Sequence, residues 1–340
     1  MAFYKDLKRY PQGEAEPGQA GWIAKRLLRL RRELRERIVD RRRPDSLIVG
    51  SWNIRAFDGG RLRLDESYHY IAEIIDHFDI VAVQEIRSDL APLRRLVTLL
   101  GPNWDYFVTD ITAGDRGNDE RMAFLFDRNR VFFRNLIGEV VLPEDQLLGT
   151  RQFARTPFFA SFQAGWFRFT LCSAHIVYGG DTEEGRTLRA EEVRAISRVL
   201  ADRARSEGEV YILIGDMNIE SPDDAIMSAL RSEGLDAPLF GPTNLSGTKH
   251  FDQIAFTGER TRTHLLGHGA FDWRPAVFGP EDRAAYQAPA EVARGEPFAD
   301  WDRSYPGWTT HEMSDHLPIW VELEVDYSDA YLGRFVPEAG

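Results

Sequence analysis

The sequence predicts an α/β fold, with two mixed β-sheets packed face to face and helices on the outside. Three observations predict it. Short apolar runs of strand length alternate with segments of helical apolar spacing, the pattern of sheets covered by helices. With 340 residues, 43% of them hydrophobic and 12% aromatic, the chain can bury a sizeable core. From about residue 45 onward no internal repeat, low-complexity tract or long linker interrupts it, so that body reads as one domain.

The first 20 residues, with Pro11, Gly13, Pro17 and Gly18, read as an irregular lead-in. From Trp22 to Asp40, Ile23, Leu27, Leu30, Leu34 and Ile38 recur at helical spacing with arginines on the other faces, and Arg41 to Pro44 stop the helix. Its arginines would suit a membrane-surface or nucleic-acid arm, but five spaced apolar residues predict a helix packed on the body. Beyond Pro44, SLIVGSW (46–52), DIVAVQE (79–85), MAFLFD (122–127), FRFTLCSAHIV (167–177), VYILIGD (210–216), FDQIAF (251–256) and LPIWVELEV (317–325) read as buried strands. Helical patterns cover 66–78, 89–100, 186–207 and 222–232. The stretch 258–312, rich in Gly, Pro, Trp and charge, reads as a long surface excursion before the last strand. The predicted layout is a lead-in with an accessory basic helix (1–44), a main domain (45–327) and a C-terminal tail (328–340).

The net charge of −12 is unevenly spread. Residues 1–43 carry 13 Lys+Arg against 6 Asp+Glu, a net of +7, which leaves −19 on the remainder. A polyanion-binding domain usually has a basic excess, so the body argues against tight binding to long nucleic acid. Cys172 is the one cysteine, so no intrachain disulfide can form and a reducing compartment is expected. The N-terminal residues lack an apolar signal core, and no stretch approaches the ~18 apolar residues of a membrane span. A cytoplasmic protein without an obligate protein partner is the expectation.

Strand after strand ends in a polar residue suited to metal or phosphate chemistry. Asn53, Gln84-Glu85, His175, and Asp216 with Asn218 close four of the runs; Asp252 opens one, and Ser314-Asp315-His316 precedes the last. Taken singly, each is an ordinary strand end facing water. Six such cases drawn from Asn, Asp, Glu and His point instead to one site at a sheet edge, where α/β folds build their sites. Cys172, mid-strand among apolar residues, reads as an inert core thiol, and His69, His77, His250, His264, His268 and His311 as surface or packing histidines.

These same residues carry a family likeness. SWNIRAF, VAVQEIR, SAHIVYG, IGDMNIES, FDQIAF and MSDHLPIWVEL resemble, in order and spacing, six motifs of the endonuclease/exonuclease/phosphatase superfamily, the deoxyribonuclease I-like group, from about residue 47 to 325. The resemblance implies a four-layer α/β/β/α sandwich and a metal-dependent phosphoesterase. NDERMAFLFD and FARTPFFASF add weaker matches, to a strand whose Glu pairs with the first catalytic His and to a stretch whose Arg contacts substrate phosphate. Asn118 stands where the deoxyribonuclease carries a substrate-contacting Tyr, and the paired cysteines of the secreted nucleases are missing, which departs from duplex-cutting enzymes.

By this resemblance Glu85 holds Mg²⁺ (or Mn²⁺), with Asn53 beside it and Asp315 contributing; hard cations suit such oxygen donors. Asp252 orients His316, and His316 or Asp216 deprotonates the attacking water. His175, paired with Glu120, stabilises or protonates. Asp216 and Asn218 position the water or hold a second metal, while Arg155 and Arg121 meet substrate phosphate or form surface ion pairs. The expected activity is hydrolysis of phosphodiesters, first as a nuclease on DNA or RNA, alternatively as a phosphatase or phosphodiesterase on a small or lipid-linked ester. An inactive binding module on the same fold is the third reading, and the intact motif residues argue against it.

Overall fold

The structure, a computed structural model, describes residues 2–38, 43–57, 59, 62–111, 119–258 and 264–336. Two six-stranded sheets form its middle. The first runs β11 (Leu265–Ala270), β12 (Ile319–Glu324), β1 (Ser46–Phe57), β2 (Ile80–Ile86), β4 (Arg121–Asp127), β3 (Trp104–Val108). The second runs β5 (Phe132–Glu139), β6 (Phe158–Ala164), β7 (Phe167–His175), β8 (Val210–Asp216), β10 (Asp252–Thr257), β9 (Leu235–Asp236). Each sheet has one parallel pair near its centre, β1 with β2 and β7 with β8, and its other neighbours are antiparallel. The mixed α/β sandwich expected from the apolar pattern is what the chain forms.

Strand periodicity divides the core. Leu47 and Val49 of β1, with Ile80, Phe124, Phe162, Ile212 and Val321, fill the space between the sheets. Ile48 and Trp52 point the other way, into a second core under α1 (Ala20–Arg37), α2 (Asp65–Ile75), α3 (Ala91–Leu100), α6 (Arg283–Arg294) and α7 (Trp301–Glu312). On the far side α4 (Glu183–Glu207) and α5 (Ala225–Arg231) cover the second sheet with Val193, Ile196, Leu200, Ile226 and Leu230. Thr182 caps α4 by accepting from Gly185 N, and Gly208, at φ +66, ends it in the left-handed conformation that glycine takes without strain.

The N-terminal helix packs as its spacing predicts: Ile23, Leu27, Leu30, Leu34 and Ile38 are all buried in the core under α2 and α6. Residues 39–42, where the sequence ends that helix, lie outside the described residues, as does Asn118. The region 258–312 corrects the reading of a surface excursion. It contributes strand β11, helices α6 and α7, and the buried side chains Phe271, Trp273, Tyr286, Trp301 and Trp308. Pro289 and Pro306 signal helix ends in sequence, yet both sit inside these helices, because packing of the aromatic face outweighs the lost backbone hydrogen bond. Among the described residues no helix is long and apolar enough to cross a membrane.

Candidate active site

The carboxyl ends of the two parallel pairs bring the polar residues together. In β1 and β2, Asn53 lies opposite Gln84, with Glu85 next in line. In the second sheet His175 lies opposite Asp216 across β7 and β8, and Asp216 lies opposite Asp252 across β8 and β10. Gly215 makes that register possible: at φ +133, a Cβ there would run into the Ala174 carbonyl oxygen.

Asp216 Oδ2 is the hub. It accepts from Asn53 Nδ2 at 3.0 Å, and His175 Nε2 and His316 Nε2 lie 3.6 and 3.8 Å away. The same Asn53 Nδ2 reaches Glu85 Oε1 at 3.2 Å, so the contacts from Glu85 to either histidine contain no link above 3.8 Å. Asn218 accompanies Asp216 through its backbone N–H to Asp216 Oδ1 (2.9 Å) and its side chain to the Ile176 carbonyl (2.6 Å).

Each histidine has a carboxylate on its other ring nitrogen. His316 Nδ1 meets Asp252 Oδ2 at 2.8 Å, and Thr243 Oγ1 donates to that oxygen at 2.6 Å. His175 Nδ1 meets Glu120 Oε2 at 3.1 Å, and Arg155 Nε approaches the same oxygen at 3.0 Å. Both pairs straddle the sheets: His175 and Asp252 belong to the second sheet, whereas Glu120 adjoins β4, and His316 leads into β12, of the first. Burial opposes charge on His316, but Asp252 and then Asp216 outweigh it and raise its pKa to about 10. A divalent cation beside the neighbouring Asp315 would add positive charge and oppose that rise.

Of the other expected site residues, Asp315 is half-buried and contributes to the field on His316, while its carbonyl accepts from Leu245 N at 3.3 Å. Arg155 joins the cluster through Glu120, and also reaches the His175 carbonyl at 3.4 Å. Arg121 is engaged elsewhere: its guanidinium donates to the Thr109 carbonyl at 2.7 Å and pairs with Asp110 at 3.7 Å. Two members were not foreseen. Arg87, 3.6 Å from Glu120 Oε1, was visible two residues after Glu85 inside the VAVQEIR motif. Thr243 carried no signal, since a loop threonine gains its partner only through the fold.

A family model described as Endonuclease/Exonuclease/phosphatase matches residues 50–316, which takes in five of the six motifs whole and the sixth as far as His316. The chain belongs to the endonuclease/exonuclease/phosphatase family. Enzymes of this family hydrolyse phosphoester bonds and generally use divalent metal ions. Deoxyribonuclease-1 of Equus caballus is 32% identical over 90 residues, covering 25% of this chain and 32% of that protein, and the Bos taurus protein matches at 33% over 90 residues. The chain thus matches about a third of the length of these curated relatives. Among solved structures, mannosyl-6-phosphatase Bt3783 of Bacteroides thetaiotaomicron superposes with a TM-score of 0.53 at 18% identity, over 82% of this chain and 99% of that one. The human Nocturnin catalytic domain with bound sulfate gives 0.52 at 16% identity, over 83% and 95%. At such identities the shared feature is the fold.

The residues present fit the hard cation that the endonuclease/exonuclease/phosphatase family uses. Asn53 Oδ1 is buried without a hydrogen-bond partner, beside carboxylates Glu85 and Asp216 that share its amide nitrogen. Among the described residues no group of three or more His, Cys, Asp or Glu forms a metal cage. Mg²⁺ does not need one, since it keeps several waters and takes one or two carboxylates.

Proposed function

We propose that this protein is a metal-dependent phosphodiesterase that cleaves nucleic acid, DNA or RNA. The observation that carries the reading is the convergence of two oppositely supported histidines on Asp216, with Asn53 and Glu85 alongside. Glu85 is the principal cation ligand, with Asn53 and Asp315 contributing. Bound there, Mg²⁺ (or Mn²⁺) supplies Lewis-acid neutralisation of charge on the phosphoryl oxygens. Asp252 fixes the His316 tautomer, so Nε2 faces the reacting phosphate, as a carboxylate does for a catalytic imidazole. His316 or Asp216 takes the proton of the attacking water, which Asn218 helps to place. His175, held by Glu120, stabilises the phosphorane-like charge or protonates the leaving oxygen. Arg155 sits beside Glu120, where it can reach a phosphate oxygen with a fork of donors.

The 32% identity with deoxyribonuclease-1 over 90 residues supports the nucleic-acid substrate. One observation favours a second reading, a small or lipid-linked phosphate ester: the −19 carried by residues 44–340 repels an extended duplex. The experiment is a metal-dependent screen over plasmid DNA, single-stranded RNA, bis-p-nitrophenyl phosphate and inositol phosphates, with log kcat/KM followed against log[KCl]. Nuclease action on short or single-stranded substrates with a shallow salt slope is expected. Turnover of inositol phosphates alone would replace the nuclease reading by the second, and no turnover of any ester with either metal would sink both.

A further inference from the structure

The peptide unit joining Arg55 to Ala56 is held on both sides. Its N–H, on Ala56, donates to Glu85 Oε2 at 2.8 Å. Its carbonyl, on Arg55, accepts from Nη2 of Arg63. Arg63 is 4% exposed, and its guanidinium lies 5.2 Å over the Phe57 ring. The adjoining groups are fixed as well: Arg55 N donates to Ser314 Oγ at 3.3 Å, and Gly59 N to the Ala56 carbonyl at 2.7 Å.

This clamp grips strained backbone. Ala56 and Glu85 both have positive φ, +42 and +61, without being glycine. Such a conformation is costly for a residue with a side chain and persists only where its surroundings over-determine it. Burying a guanidinium is also costly unless it is hydrogen-bonded and faces opposite charge. The acidic groups acting on Arg63 are Glu312, Glu85 and Asp315, in that order. Glu312 is fully buried and its Oε2 accepts from Leu64 N at 2.8 Å and Ser67 Oγ at 2.7 Å, so the start of α2 braces the same region.

We propose that Arg63 is a positioning residue for Glu85: by holding the Arg55–Ala56 peptide it aims and polarises the N–H that fixes the Glu85 carboxylate in its cation-binding orientation. A hydrogen bond accepted by a carbonyl strengthens the one its own peptide N–H donates, so the two bonds act together. The charge of Arg63 also offsets the crowding of Glu85 and Asp315 before any cation arrives. The inference rests on the reading of Glu85 as a metal ligand.

The test is Mn²⁺ binding to the full, metal-stripped chain, read by electron paramagnetic resonance of free Mn²⁺, with Mg²⁺ in competition. Arg63→Met should weaken Mn²⁺ about 10–100-fold, the usual cost of losing a residue that orients a ligand, and lower kcat while KM stays nearly unchanged. Arg63→Lys, which keeps the charge without the planar fork, should weaken it about 3-fold. A folded Arg63→Met with wild-type Mn²⁺ affinity would overturn the inference, as would an unaltered affinity in Arg63→Lys if the Met variant does not fold. Glu85→Ala separates the two levels: if it too leaves Mn²⁺ affinity unchanged, the metal reading itself fails.

Discussion

The two sheets have the same construction, a central parallel pair flanked by antiparallel strands, yet their strand ends carry different chemistry. The first pair carries Asn53, Gln84 and Glu85 toward its carboxyl end, with the amide oxygens of Asn53 and Gln84 buried without a hydrogen-bond partner. The second ends in His175 and Asp216, groups that exchange protons. Under the proposed function, one architecture would serve charge neutralisation on one side and acid–base work on the other, with the strand-terminal residue deciding which. The supporting carboxylates differ too. Asp252 serves His316 and a threonine, whereas Glu120 is divided between His175, Arg155 and Arg87.

The sharpest break would come at the first sheet. Glu85→Ala should abolish activity with little loss of folding, and excess EDTA should do the same to the wild-type protein; full hydrolysis in EDTA would refute the division of labour. Next come the second-sheet groups and their partners. His175→Ala and His316→Ala should each lower turnover by ~10²–10⁴-fold, the usual worth of a general acid–base group. Asp252→Asn should hurt more than Glu120→Gln, because the arginines on Glu120 leave it a smaller share in holding its histidine. Equal losses in kcat for the two carboxylate variants would erase the distinction.

Much of this candidate site was legible before the fold, because such a strand end interrupts an apolar run with a residue type that burial disfavours. Asn53, Glu85, His175, Asp216, Asp252 and His316 stand out in that way. Arg63 does not: it stands in a Gly- and Arg-rich stretch of sequence, and its meaning comes from a carbonyl eight positions away. The stretch 258–312 misled for a different reason. Gly267, Gly269, Pro289 and Pro306 signal irregular chain locally, while the burial of Trp273, Tyr286 and Trp308 is a tertiary effect with no short-range period. For Arg121 the sequence leaves a phosphate contact or a surface ion pair open, and in the structure its guanidinium lies against Thr109 and Asp110.

The helical layers sharpen the comparison at smaller scale. The first sheet is covered in part by α1, whose five buried apolar side chains contribute roughly 1.5–3 kcal/mol each as an upper bound. Deleting residues 1–43 should lower the melting temperature by about 10 °C or more; an unchanged melt with lost binding to anionic vesicles would show α1 to be an arm. The smallest effect is a pH slope from a buried carboxyl of this layer. Burial, against hydrogen bonds from Tyr286 and Gly18, raises Glu66 from 4.5 to about 7. The folded form then holds the proton more tightly than the unfolded one, so this stability is present below about pH 4.5 and is lost as pH rises through about 7. Glu66→Gln should flatten that slope in denaturant titrations between those limits, and an identical slope in the variant would remove Glu66 as its cause.

The crossing of the two histidine pairs between sheets has a consequence for how the molecule fails. Each pair takes its histidine from one sheet and its carboxylate from the other, in opposite senses. A small slide of one sheet over the other therefore disturbs both contacts, while the backbone ladders inside each sheet stay intact. Heat or pressure should silence the enzyme while circular dichroism still reports a folded chain, and cooling should restore it. On the proposed reading, catalysis would then be a gauge of the seam between the layers, lost before the layers come apart.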